Sequence, residues 1–151
     1  MHLGALIKPD LVFVGLPGSD RPTVLKAMAD GMAARSVLPD AELLYERLLE
    51  REDLGSTGIG GGVAIPHCKM KDLDGVIVAI GISHRGVDFA ADDQQAVRLL
   101  FLVVSPEDKP AEHLQSLSAI SKWVQSRERV EEILEMEDPE AIFQLLKTEE
   151  V

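Results

Sequence analysis

The stretch Gly58-Ile59-Gly60-Gly61-Gly62-Val63-Ala64-Ile65-Pro66-His67 joins a glycine-rich loop to a short apolar run and ends in a proline followed by a histidine. Glycines lack the Cβ that restricts φ, so this backbone can turn sharply and pass close to a ligand with its N–H groups exposed. Val63-Ala64-Ile65 reads as a strand. Pro66 donates no ladder hydrogen bond, so pairing is expected to stop there and leave His67 at the strand's rim. Imidazole titrates near neutrality and offers a nucleophilic nitrogen, which makes His67 the first candidate for chemistry.

Upstream, Leu11 to Leu16 is a compact β-type run closed by the turn pair Pro17-Gly18. Ser19 or Asp20 can cap a helix that tolerates Pro22 in its first turn and buries Val24, Leu25, Met28 and Met32 on one face. Pro39-Asp40 opens a second helix with Asp40 as N-cap and a stripe of Leu44, Tyr45, Leu48 and Leu49. Arg51 falls near that face at the C-terminal end, where a cation suits the helix dipole.

Downstream, Lys69 to Gly75 is polar and turn-like, and Val76 to Ile82 is continuously apolar, as in a strand covered on both faces. Val87-Asp88-Phe89 reads as a short edge strand and Leu99 to Val104 as a second buried strand ended by Ser105-Pro106. Asp108 is the expected cap of a helix carrying Leu114, Leu117, Ile120 and Val124, with His113 at the head of that stripe. Two shorter amphipathic segments, Arg127 to Glu137 and Pro139 to Lys147, complete the chain. Strands and helices interleave without strict βαβ regularity, so the expected fold is α/β of the α+β type: a mixed β-sheet flanked by helices, in one domain over residues 1–151.

The totals narrow the function. A chain of 151 residues with 46% hydrophobic residues can bury a core without disulfides. Cys68 is the one cysteine, which leaves no thiolate cluster for structural zinc and suits a reducing compartment; a small buried thiol is its simplest role. The net charge of −11, with no dense basic patch and six aromatic rings of the Phe, Trp and Tyr type, argues against nucleic acid as a partner. No apolar run reaches the ~18 residues of a membrane span, and Met1-His2-Leu3-Gly4 does not open a leader; the reading is cytoplasmic, without membrane insertion.

Three polar groups have reason to meet: His67, Arg51 and His113. Arginine forks onto phosphate oxygens and imidazole can attack phosphorus, so together they suit a phosphoryl group, with loop N–H groups as further donors. The blander readings are a loop histidine, a surface arginine and a core histidine. Gly15-Leu16-Pro17-Gly18-Ser19 lacks the Lys-Ser/Thr ending of a phosphate-binding loop and is a plain turn. His67, Cys68, His84 and His113 lack metal-ligand spacing, and His84 in Ser83-His84-Arg85-Gly86 reads as a solvated turn; no metal and no cofactor is expected.

Arg51-Glu52 followed by Ser56-Thr57-Gly58-Ile59-Gly60-Gly61-Gly62-Val63-Ala64-Ile65-Pro66-His67 closely resembles the active-site signature of the EIIA components of the bacterial phosphoenolpyruvate-dependent sugar phosphotransferase system, in the fructose/mannitol and nitrogen-regulatory (PtsN-like) family. The likeness extends over nearly the whole chain. It implies a mannitol/fructose-type EIIA fold and a phosphoryl carrier in which His67 accepts phosphate from phospho-HPr and passes it to an EIIB domain. His113 matches the second active-site histidine and Arg51 the arginine beside it, both supporting the phosphoryl group. Gly61 stands where many members have Asn, and Cys68 where a small residue is common. The resemblance also admits a regulatory binding module whose protein partner is switched by phosphorylation of His67. Protonated His67 cannot attack, so transfer is expected to weaken below pH about 6.5.

Overall fold

The computed structural model describes residues 3–35, 38 and 40–148. Pro39 and the Met1-His2 start, both used in the sequence reading, lie outside them. After a short 3-10 turn at Leu3–Leu6 come strand β1 (Ile7–Val14), helices α1 (Arg21–Ala34) and α2 (Ala41–Asp53), and the short strands β2 (Gly58–Gly60), β3 (Val63–Ala64) and β4 (His67–Met70). Two long strands, β5 (Ile77–Val87) and β6 (Val97–Pro106), precede helices α3 (Pro110–Trp123), α4 (Arg127–Leu134) and α5 (Pro139–Thr148).

The sheet is mixed and runs β1-β5-β6-β3-β2, with β4 also on β6. Strand β6 is antiparallel to β5 but parallel to β3 and β4. Alternate residues of β6 face opposite layers. Leu100, Leu102 and Val104 join Val24, Leu25, Met28, Leu44 and Leu48 of α1 and α2, whereas Leu99, Phe101 and Val103 join Ile120, Trp123, Val130, Ile133 and Ile142 of the C-terminal helices. The period-2 alternation of one strand thus serves two hydrophobic layers, which is why its sequence is apolar throughout.

The helix starts follow local chemistry. Asp20 accepts from the Thr23 N–H at 2.8 Å and Asp40 from the Leu43 N–H at 3.0 Å, each satisfying a donor that the first turn leaves open. Helix α3 differs from expectation. Its N-cap is Lys109, which makes no side-chain cap, rather than Asp108; Pro110 in the first turn has no N–H to satisfy. The face of α3 turned inward carries His113, Ser116, Ile120 and Trp123, so Leu114, one residue off that line, is 66% exposed instead of buried.

Three strand expectations are also corrected. Val87 is the last residue of β5, paired with Val97 inside the sheet, and Asp88 makes only an isolated bridge to Asp20. No separate edge strand starts there. His84 is exposed as expected but sits within β5, where the register against β6 shifts between Ile82 and Val87. Most consequentially, pairing does not end at Pro66. Val63 and Ala64 pair with Leu99 and Leu100, and after Ile65-Pro66 the same edge resumes in unbroken register with His67 opposite Val103 and Cys68 opposite Val104. The Pro66 carbonyl still accepts from the Val103 N–H at 2.9 Å, because proline lacks only the donor.

Candidate active site

His67 therefore starts strand β4 at the middle of a β6 edge, not at the end of a strand. Val63, Ile65 and Val103 belong to the layer under the C-terminal helices, and Ala64, Cys68 and Met70 to the other. His67, two residues from Ile65, is turned toward α3. His113 is in the first turns of α3, and the two imidazole rings lie 5.4 Å apart between centroids, tilted by 54°. Arg51, in the last turn of α2, reaches His67 with Nε at 3.3 Å from Nε2. The three residues that the sequence singled out are brought together around one open cleft of about 660 Å³.

Each ring has a defined second bond. His67 Nδ1 lies 2.7 Å from the Ile65 carbonyl oxygen, which can only accept, so Nδ1 carries the proton and Nε2 carries the lone pair. The Arg51 Nε–H donates to that lone pair, and its Nη1 donates to the Gly55 carbonyl at 2.9 Å, so the fork is held at both ends. His113 is 6% exposed and its Nδ1 lies 2.6 Å from Oγ of Ser105, a fully buried residue of β6.

Burial holds the His67 imidazole below the ordinary histidine value; the Ile65 carbonyl works the other way, and the Arg51 guanidinium adds to the lowering. His113 is lowered by burial first, then by His67 and by the ammonium of Lys69. Both rings are neutral near pH 7. The Cys68 thiol, on the opposite face of β4, is buried and pushed up to about 12, so it stays protonated in the role expected of a small apolar filler.

The glycine-rich loop does not deliver its N–H groups to this cleft. The Gly61 N–H donates to Asp93 Oδ2 at 2.9 Å, the Gly58 N–H to Ser56 Oγ at 3.0 Å, and no glycine lines the cleft. The turn's three consecutive positive-φ residues, Gly60, Gly61 and Gly62, instead let the chain reverse from β2 into β3. Among the described residues, no three His, Cys, Asp or Glu side chains are grouped to hold a metal ion, and no helix is long and apolar enough to cross a membrane.

Three features of the surroundings have no role assigned by the sequence. Ser105 was visible only as punctuation before Pro106. Lys69, in a segment whose sequence reads as turn, is on β4 two residues past His67 and so on the same face, exposed at the cleft; the signal for it is the period-2 alternation of a strand. Glu52, 4% exposed, accepts from the Thr57 N–H at 3.1 Å, from the Thr57 hydroxyl at 2.5 Å and from Arg21 Nη1 at 3.1 Å. That network ties the end of α2 to α1 and to the loop entering β2, and so fixes the helix end from which Arg51 projects.

Comparison with known proteins gives the family. The family model described as "Phosphoenolpyruvate-dependent sugar phosphotransferase system, EIIA 2" matches residues 5–149. The chain belongs to that family of EIIA phosphotransfer components. It is 33% identical over 146 residues to a nitrogen regulatory protein of Pseudomonas aeruginosa, covering 97% of this chain and 95% of that one. It is 30% identical over 137 residues to a fructose-specific EIIA component of Haloferax volcanii, covering 91% and 89%. The crystal structure of the nitrogen regulatory protein IIA-Ntr from Neisseria meningitidis superposes with a TM-score of 0.86 at 26% identity, over 95% of this chain and 98% of that one. The fold is shared with the crystal structure of IIA mannitol from Escherichia coli as well, at a TM-score of 0.75 and 18% identity over 93% of this chain and 98% of that one.

Proposed function

We propose that the protein is a phosphoryl carrier in which Nε2 of His67 accepts the phosphoryl group of a phosphorylated HPr-like protein and yields it to an EIIB domain or holds it as a signal. The observation that carries this reading is the His67 ring itself: Nδ1 is committed to the Ile65 carbonyl, which leaves the Nε2 lone pair at an open cleft beside a guanidinium. In the forward step a bond forms between Nε2 and phosphorus while the donor's nitrogen–phosphorus bond breaks, its electron pair returning to the donor imidazole. The Arg51 Nε–H turns from the lone pair to the phosphoryl oxygens, and His113 supports the same oxygens. Chemistry of this kind needs little beyond positioning and charge stabilisation.

Incubation with phosphoenolpyruvate, enzyme I and HPr is expected to add one phosphate in an acid-labile, base-stable linkage, and His67→Ala to add none. Equal modification of the variant would overturn the assignment. A second reading is favoured by the 33% identity to a nitrogen regulatory protein: the phosphate on His67 acts as a switch on a protein partner. A doubly charged group placed at the cleft would alter docking by repulsion and desolvation. Comparing partners bound by the unmodified chain and by His67→Asp separates the two, because a pure transfer component keeps the same partners in both.

A further inference from the structure

The bond between Ser105 and His113 has a direction that burial decides. Ser105 is fully buried, and among the described residues its hydroxyl has one partner, Nδ1 of His113 at 2.6 Å. If the hydroxyl accepted a proton from Nδ1, its own O–H would be left inside the protein with nothing to donate to, and a buried unpaired donor is costly. If it donates to an Nδ1 lone pair, both groups are satisfied. A neutral imidazole has one proton, so donation by Ser105 places that proton on Nε2.

We propose that Ser105 is a positioning residue that fixes His113 as its Nε2–H tautomer, so that the ring offers a hydrogen-bond donor to a phosphoryl oxygen on His67. The opposite tautomer would aim a lone pair at an anion. The neutral state that makes the choice of tautomer matter follows from the burial of His113 and the positive charge of Lys69 on the same face of β4. The two histidines then carry complementary arrangements. The Ile65 carbonyl puts the proton of His67 on Nδ1, leaving a lone pair to attack, while the Ser105 hydroxyl puts the proton of His113 on Nε2, leaving a donor to stabilise. Carbonyl and hydroxyl, one acceptor and one donor, differentiate two identical side chains.

This inference rests on the phosphoryl-carrier reading for its use but not for its test. Long-range proton–nitrogen NMR of the unphosphorylated wild-type protein at neutral pH is expected to give the Nε2–H pattern for His113 and the Nε2 lone-pair pattern for His67. An Nδ1–H pattern for His113 overturns the proposal outright. Ser105→Ala is expected to mix or reverse the His113 pattern, leave that of His67 unchanged, and slow transfer from phospho-HPr about tenfold, less than the roughly 100-fold or more of deleting a donor. Ser105→Thr, which keeps the hydroxyl, is expected to keep the wild-type His113 pattern. Should Ser105→Ala leave both pattern and rate unchanged, the hydroxyl has no directing role. A wild type that shows the predicted tautomers but takes no phosphate at His67 would refute the carrier reading alone.

Discussion

The glycine turn at Gly60–Gly62 and the cleft at His67 lie on one continuous edge of β6, a few residues apart, and they are finished in opposite ways. At the turn the polar groups are used up within the chain: Asp93 takes the Gly61 N–H, Arg127 donates to the Gly61 carbonyl, and the Gly62 carbonyl accepts from the Arg98 and Leu99 N–H groups. At the cleft the bonds that exist only set directions. The far nitrogen of His113 and the ammonium of Lys69 have no partner among the described residues, and the bond to the His67 lone pair is at 3.3 Å, the long end of its range. A region that pays for chain reversal saturates its donors and acceptors, whereas a region that handles a ligand keeps some in reserve. Unusual backbone marks the first and unspent side-chain valence the second.

The sharpest way to break this contrast is at Arg51. Replacing it with alanine removes the cation beside Nε2 of His67, the proposed acceptor, without touching the turn. Single-turnover transfer from phospho-HPr is expected to slow by about 100- to 1,000-fold, the usual cost of losing a preorganised donor to developing charge. The melting temperature is expected to change little, because Arg51 is half-buried and its bonds are to a loop carbonyl and a neutral ring. A variant that transfers at the wild-type rate would mean that the guanidinium only props the ring.

Acidification offers a second, smaller effect that separates the two regions. Both histidines are held below the ordinary value of about 6.5, chiefly by burial, so His67 keeps its lone pair into more acid solution than a free imidazole does. The acid limb expected at about 6.5 from sequence is therefore placed lower, and an NMR titration of the His67 ring checks it; a midpoint at or above 6.5 contradicts the structure. The same shifts bear on stability. A folded-state value below the unfolded one means that the unfolded chain takes up protons first, so stability is complete above about pH 6.5 and declines as pH falls below it, levelling once the folded rings titrate.

Much of this arrangement was legible because it is local. Asp20 and Asp40 cap helices by bonds to residues three positions on, and the stripes of α1 and α2 follow helical spacing. Val76–Ile82 and Leu99–Val104 announce buried strands by composition alone. The errors arose where the deciding partner is distant. Strand β4 looks like a turn because Lys69 and the residues after it are polar, and only the parallel partner β6 makes it a strand. Leu114 seemed core because the apolar count on α3 does not reveal which face the sheet takes. Arg51 and His113 are legible as companions of His67 from their positions near helix ends and from the signature they resemble, but Ser105 carries no sequence mark, since a hydroxyl bonding across a strand–helix junction has no period. The glycines misled most: they promised anion-binding N–H groups, and their φ values serve the reversal instead.

The smallest expected effect tests the turn's half of the contrast. Gly61 has φ +65°, in the left-handed region, and a Cβ there would meet Arg127 Nη1 at 3.0 Å, the end of a flexible side chain. Gly61→Ala is therefore expected to destabilise by about 1–2 kcal/mol through backbone strain rather than collision. Asn tolerates the left-handed conformation better than Ala, so Gly61→Asn is expected to cost less than Gly61→Ala at the same position. Neither substitution reaches the cleft, so phosphoryl acceptance measured below the melting transition is expected to match the wild type. Urea titration gives the stability order, and the transfer assay run beside it gives the decisive result. If Gly61→Ala slowed transfer as severely as Arg51→Ala while remaining folded, the turn would have to be contributing to the phosphoryl site after all, and the separation between saturated and reserved polar groups would fail at its first comparison.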